Sequence, residues 1–141
     1  MTLTDLVRQC LRMRPDRIVL GEVRGAELRD LLMALNTGHE GGCGTVHANG
    51  VAEVPARLEA LAALGGLSRE AASAQITAAL HTVIHVERGE RGRRVAEIGV
   101  FVDVEGRAVV LPAVRWDADG VMTLGDGAGR LSQLLGMEVA R

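Results

Sequence analysis

The chain of 141 residues contains no lysine; all sixteen of its basic side chains are arginine. That excludes, within this chain, every chemistry that needs an amine: a Walker A phosphate clamp, a Schiff base, a Ser–Lys dyad. Aromatic residues are almost as scarce. Phe101 and Trp116 stand alone and tyrosine is missing, which removes the stacking platforms of single-stranded nucleic-acid binders. Two cysteines, Cys10 and Cys43, are too few for a disulfide scaffold and imply a reducing, cytosolic protein. No long apolar run occurs either. The longest uncharged stretch, Ala71 to Val86, is broken by Ser73, Gln75, Thr77, His81, Thr82 and His85, too short and polar to cross a bilayer. Met1 to Gln9 carries Asp5 and Arg8 and no apolar h-region, unlike a signal peptide. A formal charge of −2 supplies no general pull toward nucleic acid or an anionic membrane.

What is present suits a folded domain. Hydrophobic residues make up 48% and charged residues 24%, enough to bury a core at this length. Leu3, Leu6, Val7, Cys10 and Leu11 follow helical spacing, and Pro15 ends that helix with Arg14 expected to be extended. Ile18-Val19-Leu20, closed by Gly21, lies between two helical patterns and predicts a strand buried on both faces, hence parallel. A second helix carries Leu28, Leu31, Leu32 and Leu35 on one face with Gly38 at its end. His39 to Gly44 holds three glycines and predicts a loop; Thr45-Val46-His47 predicts a short strand. Pro55 fits the first turn of a third helix ending at Gly65-Gly66, and Ser68 caps a fourth running to about Leu80. From Thr82 the period becomes strand-like: 83–86, 95–104 and 107–116 predict an antiparallel meander, followed by a Gly125–Gly129 connector and an apolar tail at Leu131, Leu134 and Leu135.

Two stretches can carry chemistry. In Arg12 to Arg24, an apolar strand ending in Gly21-Glu22 delivers a carboxylate to the carboxyl edge of a parallel sheet, where α/β proteins bind ligands. Glu22 there can hold Mg²⁺ through water or orient a hydrolytic water, and Arg24 can meet a phosphate or pair with Glu22. A solvated Glu–Arg ion pair fits the same residues. In Thr37 to Asn49, two imidazoles, His39 and His47, flank the glycine-rich loop. They can sense charge on a γ-phosphate whose oxygens Thr37 or Thr45 can also reach. A tight turn with hydrogen-bonded histidines is the competing structural reading. Zinc on His39, Cys43 and His47 would need a helix and a fourth ligand, and Cys43 lacks an orienting acid for nucleophilic work. His81 and His85 fit ordinary interior or surface positions. Arg88, Arg91, Arg93 and Arg94, interleaved with Glu87 and Glu90, fit a solvated hairpin tip or a docking patch.

Together, Leu11-Arg12-Met13-Arg14-Pro15-Asp16-Arg17-Ile18-Val19-Leu20-Gly21-Glu22-Val23-Arg24-Gly25-Ala26-Glu27, then Thr37-Gly38-His39 and Thr45-Val46-His47-Ala48-Asn49, resemble the atypical Walker B and the His box of the type II/type IV secretion ATPases. The Flp/Tad pilus-assembly branch is the best match. The resemblance runs from about residue 3 to 110, through Arg57-Leu58-Glu59, Gln75 to Val86 and Arg94 to Ile98. It implies an α/β chain with part of a RecA-like P-loop NTPase core, a mostly parallel sheet with flanking helices. Residues 1–86 would be the Walker B and His-box half of that ATPase domain, and 87–141 a small antiparallel β-rich extension.

The same resemblance makes Glu22 the catalytic acid and the water-mediated Mg²⁺ partner. His39 and His47 become the residues that couple nucleotide to the next subunit, Arg24 helps hold the site, and Thr37 and Thr45 reach the nucleotide. It implies ATP and Mg²⁺ as cofactors, a hexameric ring or a complementary chain carrying Walker A, and inner-membrane secretion or pilus platform proteins as partners. Localisation would be cytoplasmic, peripheral to the inner membrane through those partners, with no nucleic acid bound. The family's Walker A precedes its Walker B and is missing from this sequence, so the isolated chain is expected to be silent. A non-catalytic docking or regulatory module of such a ring is the alternative, and an unrelated metal or redox protein using Cys43 and the histidines is a third.

Overall fold

The computed structural model describes residues 1–39, 41–89 and 92–137. Glu90 and Arg91 of the expected hairpin tip lie outside the described residues, as does Glu40 of the glycine loop. Helix α1 (Leu3–Arg12) starts in a capping box: the Asp5 amide donates to Thr2 Oγ1 at 3.2 Å and the Thr2 amide to Asp5 Oδ2 at 2.8 Å. These bonds satisfy donors that a helix start leaves open. Its end differs from expectation. Arg14 is left-handed at φ 49°, not extended, and its amide bonds back to Leu11 O at 3.2 Å. The gain is a capped helix carbonyl, which outweighs the usual preference of a residue before proline.

Strand β1 (Val19–Leu20) pairs in parallel with β2 (Cys43–Gly44), joining Val19 to Cys43 and Leu20 to Gly44. The strand after the glycine loop therefore falls two residues before the predicted Thr45–His47. Glycine is a poor strand former, but pairing with Ile18–Leu20 decides the register here. Val19 is also 69% exposed, so this strand is buried on one face only, against the expectation of two. Between them α2 (Glu27–Leu35) packs Leu28, Leu31 and Leu32 inward. Helix α1 docks on α2 through buried Val7 and an Arg8–Asp30 ion pair of 3.1 Å.

A 3-10 turn (Val51–Glu53) leads into α3 (Val54–Leu64), with Pro55 in its first turn, and α4 (Arg69–Ala79) begins at the Ser68 cap. The second sheet is an antiparallel meander in chain order: β3 (Thr82–Gly89), β4 (Gly92–Val104), β5 (Arg107–Trp116) and β6 (Met122–Leu124). Its Phe101, Ala108 and Val110 join Leu32, Leu58 and Ile76 in one core cluster. Val100, Ala113 and Val114 on the other side pack Leu131 of α5 (Ala128–Leu135). Burial of each large aliphatic side chain contributes about 1.5–3 kcal/mol. A polar tie crosses the larger core: buried Ser73 accepts the Ala108 amide at 2.6 Å and donates to Glu59 at 3.3 Å. The architecture is mixed α/β. Its parallel part amounts to two short strands, so the antiparallel meander, not a parallel sheet, dominates among the described residues.

Candidate active site

Parallel pairing brings the carboxyl ends of β1 and β2 to the same edge, and three hydrogen bonds fasten them there. The Cys43 amide donates to Ile18 O at 3.0 Å, the Val23 amide to Thr45 O at 2.8 Å, and Thr45 Oγ1 to Gly21 O at 2.5 Å. Gly42 permits the close approach. A Cβ on it would stand 2.6 Å from Leu35 Cδ2 and 2.8 Å from Ile18 O, closer than packed atoms tolerate. The glycine-rich loop is thus a spacing device for the strand pair.

Glu22 leaves β1 directly after Gly21. Its Oε2 is bonded by Arg24 Nη2, and its Oε1 lies 3.0 Å from His47 Nε2. The Arg24 hydrogen bond, then the charges of Arg24 and His47, hold the Glu22 carboxyl below the usual carboxylate range against partial desolvation. The same bond raises Arg24. The carboxylate is therefore ionised at neutral pH and oriented, with a quarter of its side chain still open to water and the His47 side chain 86% exposed.

Thr45 serves as the inter-strand tie described above, one residue pair from the acid. Thr37 donates to Met33 O at 2.7 Å inside the last turn of α2, and no contact of it reaches Glu22 or His47 among the described residues. His39 follows Gly38 at φ 96°, with its amide on Ala34 O and its Nδ1 buried and unpartnered. The structure thus brings Glu22, Arg24 and His47 into contact, ties Thr45 to Gly21 and Val23 on either side of the acid, and leaves Thr37 and His39 at the end of α2.

A residue beside these, Glu27, has no role assigned from the sequence. Glu27, 6% exposed, turns its carboxylate back so that Oε1 accepts the Arg24 amide at 2.6 Å and the Gly25 amide at 2.8 Å. Desolvation pushes this carboxyl up, but the amide bonds from Arg24, Glu27 itself and Gly25 outweigh it and hold it below its ordinary range. No side chain caps α2 at Ala26. Glu27 instead accepts the amides just before the helix and so fixes the backbone that carries Arg24 beside Glu22. Its signal was an acid in the first helical turn, just after Gly25.

Mg²⁺ at nucleotide sites is held by one or two carboxylates together with substrate phosphates. The described residues contain no group of three or more His, Cys, Asp or Glu placed to hold a metal. Glu22 is thus a single carboxylate, without further acidic, His or Cys side chains grouped around it as a closed metal cage among the described residues. The phosphate cradle does not fit, because no lysine is present to supply its cation.

An acid stands beside an imidazole at the carboxyl edge of paired parallel strands in a mixed α/β chain. The chain belongs to the type II/IV secretion system protein family, whose model matches residues 1–122. A Mycobacterium tuberculosis protein that carries a conjugal-transfer name is 58% identical over 135 residues, covering 95% of this chain and 37% of that relative. The conjugal transfer protein TrbB of Rhizobium radiobacter is 40% identical over 101 residues, 72% of this chain and 30% of its own length. Among solved structures, the VirB11 ATPase of the Brucella suis type IV secretion system, crystallised with sulphate, superposes with a TM-score of 0.64. It is 30% identical and covers 70% of this chain and 31% of its own. The chain thus spans about a third of the length of these relatives. No described helix is long and apolar enough to cross a membrane.

Proposed function

We propose that this chain supplies the acid-and-imidazole part of an ATP-hydrolysing site in a secretion motor, the phosphate cradle coming from other polypeptide. The observation that carries this is the Glu22 carboxylate held between Arg24 and His47 at the carboxyl edge of β1 and β2. An ionised, oriented carboxylate accepts a hydrogen bond from water and aligns it; Arg24 keeps that carboxylate in place. His47, exposed and in contact with the acid, can relay the state of the site to a neighbouring subunit, with His39, Thr37 and Thr45 as further members of the nucleotide-facing surface. Mg²⁺ and ATP belong to the completed site. In this reading residues 1–86 form the ATPase part of a RecA-like core and 87–141 an extension, since every named site residue precedes position 86.

The motor would assemble as a hexameric ring on inner-membrane platform proteins at the cytoplasmic face, driving pilus assembly or export. The conjugal-transfer and type IV secretion names of the relatives support the export arm over the Flp/Tad pilus arm. Titration calorimetry with Mg-ATP tests the incompleteness: the isolated chain should show no micromolar binding. Co-expression with a chain carrying Walker A should restore hydrolysis, and Glu22→Gln should then lower it on the order of 10²–10⁴-fold. Micromolar binding by the chain alone, or full hydrolysis with Glu22→Gln, overturns the reading. If the chain only binds an already complete ring, it is a docking or regulatory module instead.

A further inference from the structure

The segment that carries His47 is fastened at its far end to the antiparallel meander. Four residues after His47, Val51 opens the 3-10 turn and is fully buried, seated on β3, β4 and β5. Alternation puts Glu97, Gly99 and Phe101 of β4 on this core-facing side of the sheet. Gly99 makes the seat. A Cβ there would stand 3.3 Å from Val51 Cβ and Cγ2 and 2.4 Å from Val110 Cγ1, closer than packed atoms approach. The ladder to β5 shifts register between Ile98 and Gly99, as strands do where a side chain is re-aimed. Beside the seat, Glu97 Oε2 accepts the Val51 amide at 3.5 Å, a long bond that the full charge strengthens, while Arg115 Nε holds Oε1 at 2.5 Å. Between the seat and the imidazole the chain is braced. The Asn49 amide and Nδ2 donate to Glu53 Oε2 at 3.4 and 2.9 Å, and Ala48 packs on the core.

We propose that Glu97 is a positioning residue: through the Val51 amide it fixes the 47–53 segment and so holds the His47 imidazole against Glu22. Its meaning for catalysis rests on the function proposed above, whereas the positioning itself does not. Packing alone needs no carboxylate here. Only 13% of the Glu97 side chain is exposed, and covering a charge to that degree costs free energy that an apolar side chain against Val51 would avoid. What the carboxylate adds is direction. Arg115 fixes one oxygen, the other accepts an amide, and the turn is held in a single orientation. His47 needs such support, because its side chain is 86% exposed and its contact with Glu22 lies at the surface. Contacts of that kind persist only where the backbone already holds both groups in place. On the acid's side that backbone is β1 and the turn to Arg24; on the imidazole's side it is the seat on the meander. Strands β4 and β5, though they follow position 86, thereby belong to the framework of the site.

The test uses the full chain and reads geometry, not hydrolysis, so an error in the proposed ATP chemistry leaves its result unaffected. In the wild type, NMR should show a nuclear Overhauser contact between the His47 ring and the Glu22 side chain, and a protected Val51 amide. Glu97→Ala should speed exchange at Val51 at least about tenfold and weaken the His47–Glu22 contact at least about threefold, with exchange at Val23 in the parallel pair unchanged. Glu97→Gln keeps an oxygen that accepts the Val51 amide and should restore both readings to near the wild type. Arg115→Ala, which frees the Glu97 carboxylate, should move both in the direction of Glu97→Ala by a smaller factor. Ser73→Ala separates positioning from plain stability. It breaks the tie to the Ala108 amide in the same core and should lower the melting temperature while leaving the His47–Glu22 contact intact. A contact that survives Glu97→Ala undiminished overturns the proposal, as does one lost equally in Ser73→Ala or one that Glu97→Gln fails to restore. A wild-type chain without the contact overturns it together with the functional reading.

Discussion

The meander and the parallel pair are built to different standards. Strands β4 and β5 run 13 and 10 residues, pair from Glu97 through Val104 with one register shift between Ile98 and Gly99, and bury side chains on both faces. The pair that carries Glu22 has two residues per strand and one open face. Its geometry rests instead on cross-ties: Thr45 to Gly21, Gly42 against Ile18, and the Glu27 carboxylate under Arg24 and Gly25. Extended ladders make a body stable, whereas a few directed bonds make a site specific and leave it the first part to open.

That contrast can be broken from the stable side first. Ile76, fully buried, joins α4 to the core shared with Phe101 and Val110. Ile76→Ala should destabilise the whole chain by about 2–5 kcal/mol, with helices and meander melting together in chemical denaturation; separate transitions would show two independent bodies. Next in size is Glu27→Gln, which weakens two charge-assisted bonds to buried-side amides and should cost about 1–3 kcal/mol. Exchange at Arg24 and Gly25 should rise while β4 and β5 stay protected. Because the Glu27 carboxyl is held below its ordinary value, its contribution is present above the unfolded value of about 4.3 and is lost as the pH falls through the lower folded one. The wild type should therefore lose melting temperature below about pH 4.5 more steeply than Glu27→Gln. Gly42→Ala is of similar size, about 1–3 kcal/mol; it should loosen 18–23 and 42–47 in exchange and leave the meander intact.

Much of the stable body was legible in the sequence and less of the site was. Apolar spacing located α1 and α2, Pro55 and Ser68 placed the starts of α3 and α4, and alternation with Gly-containing turns gave β3 to β5. These signals are local. Strand β2 was missed by two residues because Thr-Val-His has the composition of a strand and Cys-Gly does not; only the partner strand chooses between them. Val19 was expected inside because a three-residue apolar run has no period with which to report an open face. Of the site residues, the strand that ends in Gly-Glu predicts a Glu22–Arg24 ion pair, and that pair is formed. His47 joins them, while the hydrogen bonds of Thr37 and of the His39 amide go to the last turn of α2; the path of the glycine loop sets those partners, and glycines permit too many paths to foretell it. Glu27 went unassigned because its carboxylate serves backbone amides upstream, a partner that no side-chain motif records.

The smallest effect on stability should come from the contact that looks strongest. Arg24 and Glu22 form an ion pair at the surface, with the arginine side chain 76% exposed, and exposed pairs contribute little because water screens them and both side chains lose freedom. Arg24→Ala should leave the melting temperature at neutral pH nearly unchanged. Its effect should appear in the titration of Glu22. With the Arg24 hydrogen bond and charge removed, the main cause holding that carboxyl low is gone, so its midpoint should rise toward the ordinary glutamate value, followed by carboxyl carbon shifts in NMR. The Thr45–Gly21 bond and the Glu27 ties do not involve the Arg24 guanidinium, so exchange at Val23 and Gly25 should stay as in the wild type. A large loss of stability would mean that the ion pair, not the cross-ties, holds the two strand ends together. An unmoved Glu22 titration would mean that Arg24 does not govern the acid on which the proposed chemistry rests.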